Sequence, residues 1–477
     1  MDPRVITLAA AEGLFAYTLL LFKGDISDWK KAARYLLLLI PAIMIRLAFF
    51  DKTNTDYEWF LCKWVEHFRL NGGFAALKDS IGNYNIPYLY FLALFSYSNI
   101  NDLYLIKLLS VFFDIVLSYA GMRLVQKCCG KTERGNVCFF VILYLPTVIL
   151  NSAYWGQCDS IYFSLALLGL ELALPEHGIH KPAEKKEEKK ENYHILDYFD
   201  IYTASLPVET RLDTITGKDG SHPLLSMMCI AAAFGFKLQA VFIMPVWLTL
   251  WVWRRHKWYT FAAFPLTYLI LLLPAVLLGR PFRDAVMLYA DQAGTVGDAL
   301  NYNSPSLTAF IQNPAETEKI SVILIAAAFA AMLLLLIIGI CVRKNFTPGG
   351  MLTYTALMVL IIPFLLPHMH DRYFYCADVV TAVIAVLLPL TFPAAILTQF
   401  GSVICYAAFF TGYYQRVGNT GIFLTNDRGA LANVLSIMIM AGALILCLMA
   451  GKRAAQNRQK ILSENKNSCL TFQNFLL

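Results

Sequence analysis

Apolar stretches about as long as a bilayer span recur along the whole chain, separated by polar segments. A transmembrane helix needs roughly 20 predominantly apolar residues, and it satisfies its backbone hydrogen bonds internally. The pattern therefore predicts an all-α fold, a polytopic transmembrane helical bundle. The thirteen predicted spans lie near residues 5-22, 33-50, 102-122, 137-153, 158-174, 223-236, 239-253, 259-278, 319-341, 350-366, 373-390, 394-413 and 430-449.

Basic residues in the short connecting segments predict the orientation of the bundle, because lysine and arginine are enriched in cytoplasmic loops. We expect the first apolar core, 5-22, to be a retained helix and not a signal peptide, since no small-residue cleavage site follows it. With the N-terminus outside, the short basic segments all become cytoplasmic. They are Lys23 to Arg34, 123-136, 254-257, Arg343 with Lys344, and the tail from Lys452.

The segment from Tyr84 to Tyr97 is apolar enough to be a span, but counting it as one would invert every later loop. It is short, interrupted by Pro87 and rich in tyrosine, which is typical of a helix at the headgroup level. We therefore predict amphipathic interfacial helices within a first exterior loop, residues 51-101.

The remaining chain organisation is that of a single transmembrane domain, residues 1-477, with one insertion and a tail. Segment 175-222 contains the mixed-charge run KPAEKKEEKKENYHILDYFD. Such a composition is typical of a disordered or solvated cytoplasmic insertion. Residues 450-477 are predicted to form a cytoplasmic tail.

Composition agrees with a membrane protein and excludes other classes. Of the 477 residues, 58% are hydrophobic and 15% are charged, with a net charge of +6. The chain is too apolar for an ordinary soluble protein of this length. The positive charge lies mostly in connecting segments, so we expect no nucleic-acid binding. The eleven cysteines lack C-x-x-C or Cys/His spacing, and we expect neither a disulfide framework nor a metal site.

Six polar clusters that apolar packing does not explain fall on the exterior side of this topology. Because all six share one side, we predict a single catalytic or binding basin roofed by loops. The clusters are residues 53-59, 82-90, 152-160, 236-239, 301-306 and 367-375.

Asp56 begins the first exterior loop within the segment Thr55 to Glu58, which has a capping-box pattern. An amphipathic helix is predicted to follow, lying flat on the membrane and ending at Asn71-Gly72-Gly73. A carboxylate placed there can take the proton from an attacking sugar hydroxyl. The alternative interpretation is that Asp56 only stabilises the helix N-terminus.

Basic residues that suit a phosphate follow two later spans. The segment PHMHDRYFY contains His368, His370 and Arg372, which can neutralise charge developing on a leaving phosphate. Lys237 interrupts a long apolar stretch at its exterior break, where a lysine binds phosphate as a point charge. The alternatives are interfacial anchoring for Arg372 and snorkelling for Lys237.

Further polar residues of the same clusters suit sugar hydroxyls. The segment WGQCDS places an indole, an amide and a carboxylate at a short hairpin between spans, a set suited to stacking and hydrogen bonding. The predicted substrate-binding residues are Tyr84, Trp155, Gln157, Asp159, Gln239 and Asp371.

Five motifs occur in a fixed order along the chain. They are the acidic residue Asp56, Tyr-x-x-Pro-Tyr-Leu-Tyr (84–90), WGQ-x-D-S-I-Y (155–162), K-x-Q (237–239) and P-x-M-H-D-R-Y (367–373). Together they resemble the GT-C superfamily of membrane glycosyltransferases. The likeness is greatest to bacterial membrane proteins related to the second mannosyltransferase of GPI-anchor synthesis.

The resemblance implies an inverting transferase that moves a hexose, mannose favoured, from a dolichyl- or undecaprenyl-phosphate sugar to a glycan or glycolipid acceptor. It implies that Asp56 is the base and that Lys237, His370 and Arg372 hold the donor phosphate. No cofactor is expected, although a divalent cation stays an open possibility. The site would face outward across the plasma membrane in a bacterial host and the ER lumen in a eukaryotic one.

The chain departs from the family pattern where Asn-Tyr-Asn-Ile-Pro (83–87) replaces the Tyr-Pro-Pro of many relatives, which bears on the acceptor site. Two other functions stay open. A transporter or lipid flippase also carries intramembrane ionisable residues, but usually near the bilayer midplane. A catalytically inactive scaffold subunit of a glycan-assembly complex is the other alternative.

Overall fold

The computed structural model describes residues 1–24, 26, 28–175, 220–293, 299–311, 316–411 and 425–473. The insertion predicted at 175-222 lies almost entirely outside these residues, as do the last residues of the predicted tail. Nearly all of the regular structure described is helical, in agreement with the all-α prediction.

Among the described residues, eight α-helices precede the insertion. Several are linked by short 3-10 or π-helical turns. They are α1 (Pro3–Lys23), α2 (Trp29–Leu47), α3 (Cys62–Leu70), α4 (Ile86–Phe95), α5 (Asp102–Cys129), α6 (Thr132–Leu143), α7 (Pro146–Ile149) and α8 (Asp159–Ala173).

The part of the chain described after the insertion contains nine α-helices and two short strands. The helices are α9 (Pro223–Phe236), α10 (Pro245–Arg254), α11 (Ala263–Leu277), α12 (Phe282–Ala293), α13 (Thr317–Cys341), α14 (Pro348–Leu365), α15 (Tyr375–Leu387), α16 (Phe392–Phe410) and α17 (Asn426–Gln473). The strands are β1 (Asn301–Tyr302) and β2 (Met369–His370), which pair in parallel.

Seven helices in the described part of the chain are long and apolar enough to cross a membrane. A bent pair, Thr132–Leu143 with Pro146–Trp155, makes an eighth if it is counted as one span. The remaining predicted spans coincide with shorter helices, except 33-50, which coincides with the 19-residue α2 and its four basic residues. The protein is thus an all-α membrane bundle, and the count of thirteen spans stays a prediction.

The bundle has a well-packed interior and an apolar outer surface. Almost every residue of α14 is buried, whereas α13 leaves Ile323, Phe329 and Leu333 exposed. Exposed apolar side chains in such numbers would be unfavourable in water, but hydrocarbon solvates them well. The surface of α13 is therefore suited to contact with lipid.

The segment after α2 forms a helix as predicted, but its cap lies one residue earlier than the capping-box pattern indicates. Asn54 Oδ1 accepts the backbone N–H of Tyr57 at 3.1 Å. The predicted apolar face, including Trp64 and Phe68, is buried in a cluster that also contains Leu89 of α4. With 10 residues, α4 is about 15 Å long, too short to cross a bilayer alone. The interfacial position of α3 and α4 stays a prediction.

A helix break shapes the region around Trp155. Proline at position 146 disfavours helical geometry for Leu145 and cannot donate a backbone hydrogen bond, so α6 ends there and the chain turns by 50°. The next residues, Leu150–Trp155, form a π-helical turn that ends at Gly156 with φ of +76°. Glycine tolerates that left-handed conformation without strain.

Four segments meet at one end of the bundle, which we call the site end. They are the loop between α2 and α3, the turn at residues 156–158, the break between α9 and α10 at Lys237, and the loop at residues 366–374. Pairing of β1 with β2 places Tyr302 beside His370 and holds the last of these loops.

Candidate functional site

Asp56 lies at the centre of a hydrogen-bonded cluster at the site end. Its Oδ2 atom accepts hydrogen bonds from Trp155 Nε1 at 2.9 Å and from Gln157 Nε2 at 2.7 Å. Arg372 donates to the same oxygen at 3.2 Å, and its guanidinium lies 5.3 Å from the Trp155 ring centroid. Oδ1 receives none of the hydrogen bonds found among the described residues, so one carboxylate oxygen is fixed and the other is available.

Lys237 and Asp159 form a second, more deeply buried charge pair. Lys237 Nζ donates to Asp159 Oδ1, and Asn151 Nδ2 donates to Asp159 Oδ2 at 2.7 Å. The ammonium also lies 5.7 Å from the ring centroid of Tyr84 and 6.0 Å from that of Tyr162. Because both charges are paired and hydrogen-bonded, their burial is tolerable.

Tyr84 joins this arrangement to Gln157. Its hydroxyl donates to Gln157 Oε1 at 2.8 Å. An amide that accepts at Oε1 must present Nε2 on its other side, and Gln157 Nε2 is the atom that donates to Asp56. Tyr84 therefore fixes the orientation in which Gln157 holds the carboxylate.

A cavity of about 550 Å³ opens next to these groups. Its polar wall contains Tyr84, Lys237, Gln239 and Arg372, all of which the sequence places in the predicted site. Arg372 thus lies between the cavity and Asp56. The volume is within the range of small-molecule sites.

The opposite wall of the cavity is apolar and reaches the outer surface of the bundle. It includes Leu238, Val241 and Ile325. Val241 is 42% exposed and Ile325, on α13, is 38% exposed. The cavity therefore combines charged groups on one side with a wall suited to hydrocarbon on the other.

Two buried polar atoms of cavity-lining residues have no hydrogen-bond partner among the described residues. They are Gln239 Oε1 and Arg372 Nε. Buried polar groups are nearly always paired in proteins. An acceptor and a donor left open at one cavity suit a ligand that offers both hydroxyl groups and anionic oxygens.

Three residues predicted to contact sugar lie behind the cavity. Trp155, Gln157 and Asp159 are almost fully buried and do not line the cavity. Trp155 instead stacks on Phe409 with ring centroids 4.2 Å apart. Their hydrogen bonds go to Asp56 and Lys237, so they orient the charged groups of the site.

The two histidines predicted to bind phosphate differ in their surroundings, since His368 lines the cavity and His370 does not. His368 uses both ring nitrogens, with Nε2 2.7 Å from Ser321 Oγ and Nδ1 2.8 Å from the Ala299 carbonyl. His370 stacks on Tyr302 with centroids 4.7 Å apart. Burial, reinforced by the charge of Arg372, lowers the pKa of His370 to about 4. His370 is therefore neutral near pH 7 and does not neutralise an anion.

Asp371 lies behind the cavity too, and it is buried. Burial raises the pKa of its carboxyl to about 7, against the opposing effect of neighbouring Arg372. A group whose pKa is higher in the folded state than in the unfolded state stabilises the fold at low pH. That contribution is lost as pH rises from about 4 to about 7.

We expect Asp371→Asn to flatten this pH dependence. Between pH 5 and pH 8 the apparent melting temperature of the detergent-solubilised wild type should fall by several degrees more than that of the variant. His370 is present in both proteins, so its contribution to the pH dependence cancels in the comparison. Parallel pH profiles for the two proteins would contradict the raised pKa of Asp371.

Some residues that complete the site were not singled out by the sequence analysis. Asn54 Nδ2 donates to the Trp155 carbonyl at 2.8 Å, Asn151 holds Asp159, and Tyr289 lines the cavity. Asn54 and Asn151 lie inside or next to two of the polar clusters, which is the one signal available for them. Tyr289 follows an apolar span with no such signal. Among the described residues, no three His, Cys, Asp or Glu side chains converge as metal ligands would.

Comparison with known protein families, curated proteins and solved structures finds no match to this chain. Fold and site together define a helical membrane protein with a charged cavity at one end of its bundle.

Proposed function

We propose that the protein is an inverting membrane glycosyltransferase that moves a hexose, mannose favoured, from a polyprenyl-phosphate sugar to a glycan or glycolipid acceptor. The observation that carries the proposal is the Asp56 carboxylate. One of its oxygens is held by three donors and the other is available, beside a cavity with a cationic wall and an apolar wall.

In this proposal Asp56 Oδ1 takes the proton of the acceptor hydroxyl. The acceptor oxygen forms a bond to the anomeric carbon, and the bond from that carbon to the phosphate oxygen breaks. Because the carboxylate is already held in one orientation, it does not have to reorient before it takes the proton, which favours general-base catalysis. One displacement inverts the anomeric centre.

The departing lipid phosphate gains negative charge, which Arg372 and Lys237 are suited to stabilise. The guanidinium of Arg372 has an unpaired Nε atom and can donate to phosphate oxygens, and the ammonium of Lys237 adds a point charge. Preorganised cations at the position where charge develops lower the barrier of such reactions.

The apolar wall formed by Val241 and Ile325 supports a lipid-linked donor. A polyprenyl chain can leave the cavity over these exposed side chains while its phosphate stays at the basic residues. A water-soluble nucleotide sugar would gain nothing from such an opening.

The proposal includes the finer topology inferred from the sequence. Thirteen spans place the site end outside the cytoplasm, with α3 and α4 at the interface and membrane lipids around the bundle. The enzyme would then act at the plasma membrane in bacteria or in the ER membrane in eukaryotes, multi-pass in either case.

A proteoliposome assay separates this function from lipid transport. Purified protein is reconstituted with polyprenyl-phosphate mannose labelled in the sugar, together with extracted acceptor lipids. We expect label to appear in a new glycolipid with stoichiometric formation of polyprenyl phosphate. Intact donor that crosses the bilayer without loss of its sugar would identify a flippase and overturn the proposal.

Tyr84→Phe tests the orienting role of the tyrosine hydroxyl. The variant keeps the aromatic ring next to Lys237 but removes the hydrogen bond that orients the Gln157 amide. Because Gln157 holds Asp56, the loss of this hydrogen bond should lower kcat about 10-fold. Donor KM should stay within about twofold of the wild type.

Tyr90→Phe is the matched control for that variant. Tyr90 lies on α4, which begins two residues after Tyr84, and donates a partly buried hydrogen bond to the Leu271 carbonyl at 2.7 Å, but it does not touch Gln157. Equal losses of kcat in both variants would show a general effect on α4 and contradict the role of Tyr84.

A further inference from the structure

Helix α5 carries a buried lysine that faces the loop leading to Asp56. Lys107 has no exposed surface. Its ammonium donates to three backbone carbonyls, those of Phe49 at 2.8 Å, Phe50 at 3.1 Å and Lys52 at 2.6 Å. An ammonium has three hydrogen-bond donors, so all of them are used within four consecutive residues of one loop.

These carbonyls belong to the turn that ends α2, four to seven residues before Asp56. The C-terminal end of a helix carries partial negative charge, which a nearby cation stabilises, and residues 49–52 continue that end of α2 as a hydrogen-bonded turn. The loop is fixed again two residues later, where Asn54 bonds to the Trp155 carbonyl. The backbone that carries Asp56 is thus held from 49 to 54.

Helix α5 also supports the turn that contains Trp155 and Gln157, which donate hydrogen bonds to the Asp56 carboxylate. Ser110, one turn beyond Lys107, donates to the Gln157 carbonyl at 2.7 Å. The aliphatic stem of Lys107 lies next to Gly156, where a methyl group built on the glycine would be 3.6 Å from Lys107 Cγ. Both the loop with Asp56 and the turn with Trp155 and Gln157 therefore rest on one face of α5.

A second connection on α5 lies further from the site. Asp114 Oδ2 accepts from Arg46 of α2 at 3.0 Å and from Ser152 Oγ at 2.6 Å. Arg46 precedes the Lys107-bound turn, and Ser152 precedes Trp155. This connection aligns the two segments but does not touch the loop itself, so the final position of the loop depends on Lys107.

We propose that Lys107 is a positioning residue, which fixes the distance between Asp56 and the Trp155 and Gln157 donors by binding the carbonyls of residues 49, 50 and 52. This inference rests on the proposed function for its effect on catalysis. A carboxylate that drifts by about 1 Å loses its alignment with the acceptor hydroxyl, and such misplacement costs on the order of 100-fold in rate.

Lys107→Met is the test, because methionine keeps an unbranched stem and removes only the ammonium. Transfer from polyprenyl-phosphate mannose should show kcat lowered about 10- to 100-fold, with donor KM within about twofold of the wild type. Hydrogen exchange of purified protein should be faster in peptides covering residues 49–58 and unchanged in peptides covering Lys237.

Lys127→Met is a matched control on the same helix. Lys127 is 6% exposed and donates to the Glu171 carbonyl at 2.9 Å, but it lies at the opposite end of α5. The Lys127→Met substitution should leave kcat, donor KM and the hydrogen exchange of residues 49–58 unchanged. If Lys107→Met does not fold, Lys107→Gln, which keeps two donors, should show the same pattern with smaller changes.

The outcomes separate failure of this inference from failure of the proposed function. Wild-type kcat together with wild-type exchange in folded Lys107→Met overturns the inference, and so does faster exchange across the whole protein. If the wild type transfers no sugar, the proposed function fails, and exchange of residues 49–58 alone decides whether Lys107 holds the loop.

Discussion

Asp56→Asn should abolish sugar transfer while leaving the fold and donor binding intact. Asparagine has the shape of aspartate and can still accept hydrogen bonds from Trp155, Gln157 and Arg372, but it cannot take a proton from the acceptor. Loss of a general base lowers rates by roughly 100- to 10,000-fold, so kcat should fall about a thousandfold. Retention of labelled polyprenyl-phosphate mannose by the solubilised variant measures donor binding.

Asp79→Asn is the control for this substitution. Asp79 lies in the same loop between α2 and α5 and bonds to His67 Nε2 at 3.0 Å, but it takes no part in the site. We expect its kcat to stay within about twofold of the wild type. An Asp56→Asn variant with kcat near that of Asp79→Asn would remove Asp56 from the role of base.

Arg372→Ala should have the second-largest effect and a different kinetic signature. The substitution removes the guanidinium that lies between the cavity and Asp56. Loss of one partner of a charged hydrogen bond in a site costs about 2 to 5 kcal/mol, so the affinity for the donor should weaken about thirtyfold or more. The value of kcat should fall too, because Asp56 Oδ2 keeps only two of its three donors.

Two further variants show whether the loss of donor affinity is specific to the guanidinium of Arg372. Arg372→Lys keeps the positive charge without the fork-shaped donor set, and we expect it to recover part of the donor affinity. Arg69→Ala removes an arginine that pairs with Asp102 at 2.6 Å, outside the cavity, and should bind donor normally. Unchanged donor affinity in Arg372→Ala would show that another group holds the phosphate.

The membrane-embedded helices could be anticipated because a bilayer allows few alternatives. Apolar residues must fill each span, and prolines and polar residues mark its ends, so the hydropathy pattern locates α13, α14 and the start of α5 closely. It places the end of α5 seven residues too early, because the helix continues to Cys129 through the basic segment predicted as a loop. The bend between α6 and α7 is also visible as Pro146 in the sequence. The π-helical turn that follows it is not, because its extra residue depends on packing that brings Trp155 onto Phe409.

The members of the candidate site could be predicted better than their roles. Asp56, Lys237 and Arg372 stand out as charges beside apolar stretches, and the structure brings them to one region. Trp155 and Asp159 are residue types that often bind sugars, but both are buried and hydrogen-bond to Asp56 and Lys237 instead. Which side of a residue is buried depends on contacts with distant segments, which spacing along the chain does not reveal.

The charge state of His370 is a further example. A histidine two residues before an arginine suits a phosphate site on chemical grounds. Its lowered pKa arises from burial and from the neighbouring charge of Arg372, and part of that burial comes from stacking on Tyr302, 68 positions earlier in the chain. Lys107 is the opposite case, a residue with a proposed role that the sequence does not indicate. Its three acceptors are backbone carbonyls, which every residue has, so no side chain in the sequence marks them as partners.

The most direct test of the proposed function is transfer of radiolabelled sugar from polyprenyl-phosphate mannose and polyprenyl-phosphate glucose to extracted lipids, with purified wild type beside Asp56→Asn. We expect a labelled glycolipid from one of the two donors with the wild type and none above background with the variant. Equal transfer by both proteins would contradict the role of Asp56, and folded wild type that transfers neither sugar would contradict the assignment as a glycosyltransferase.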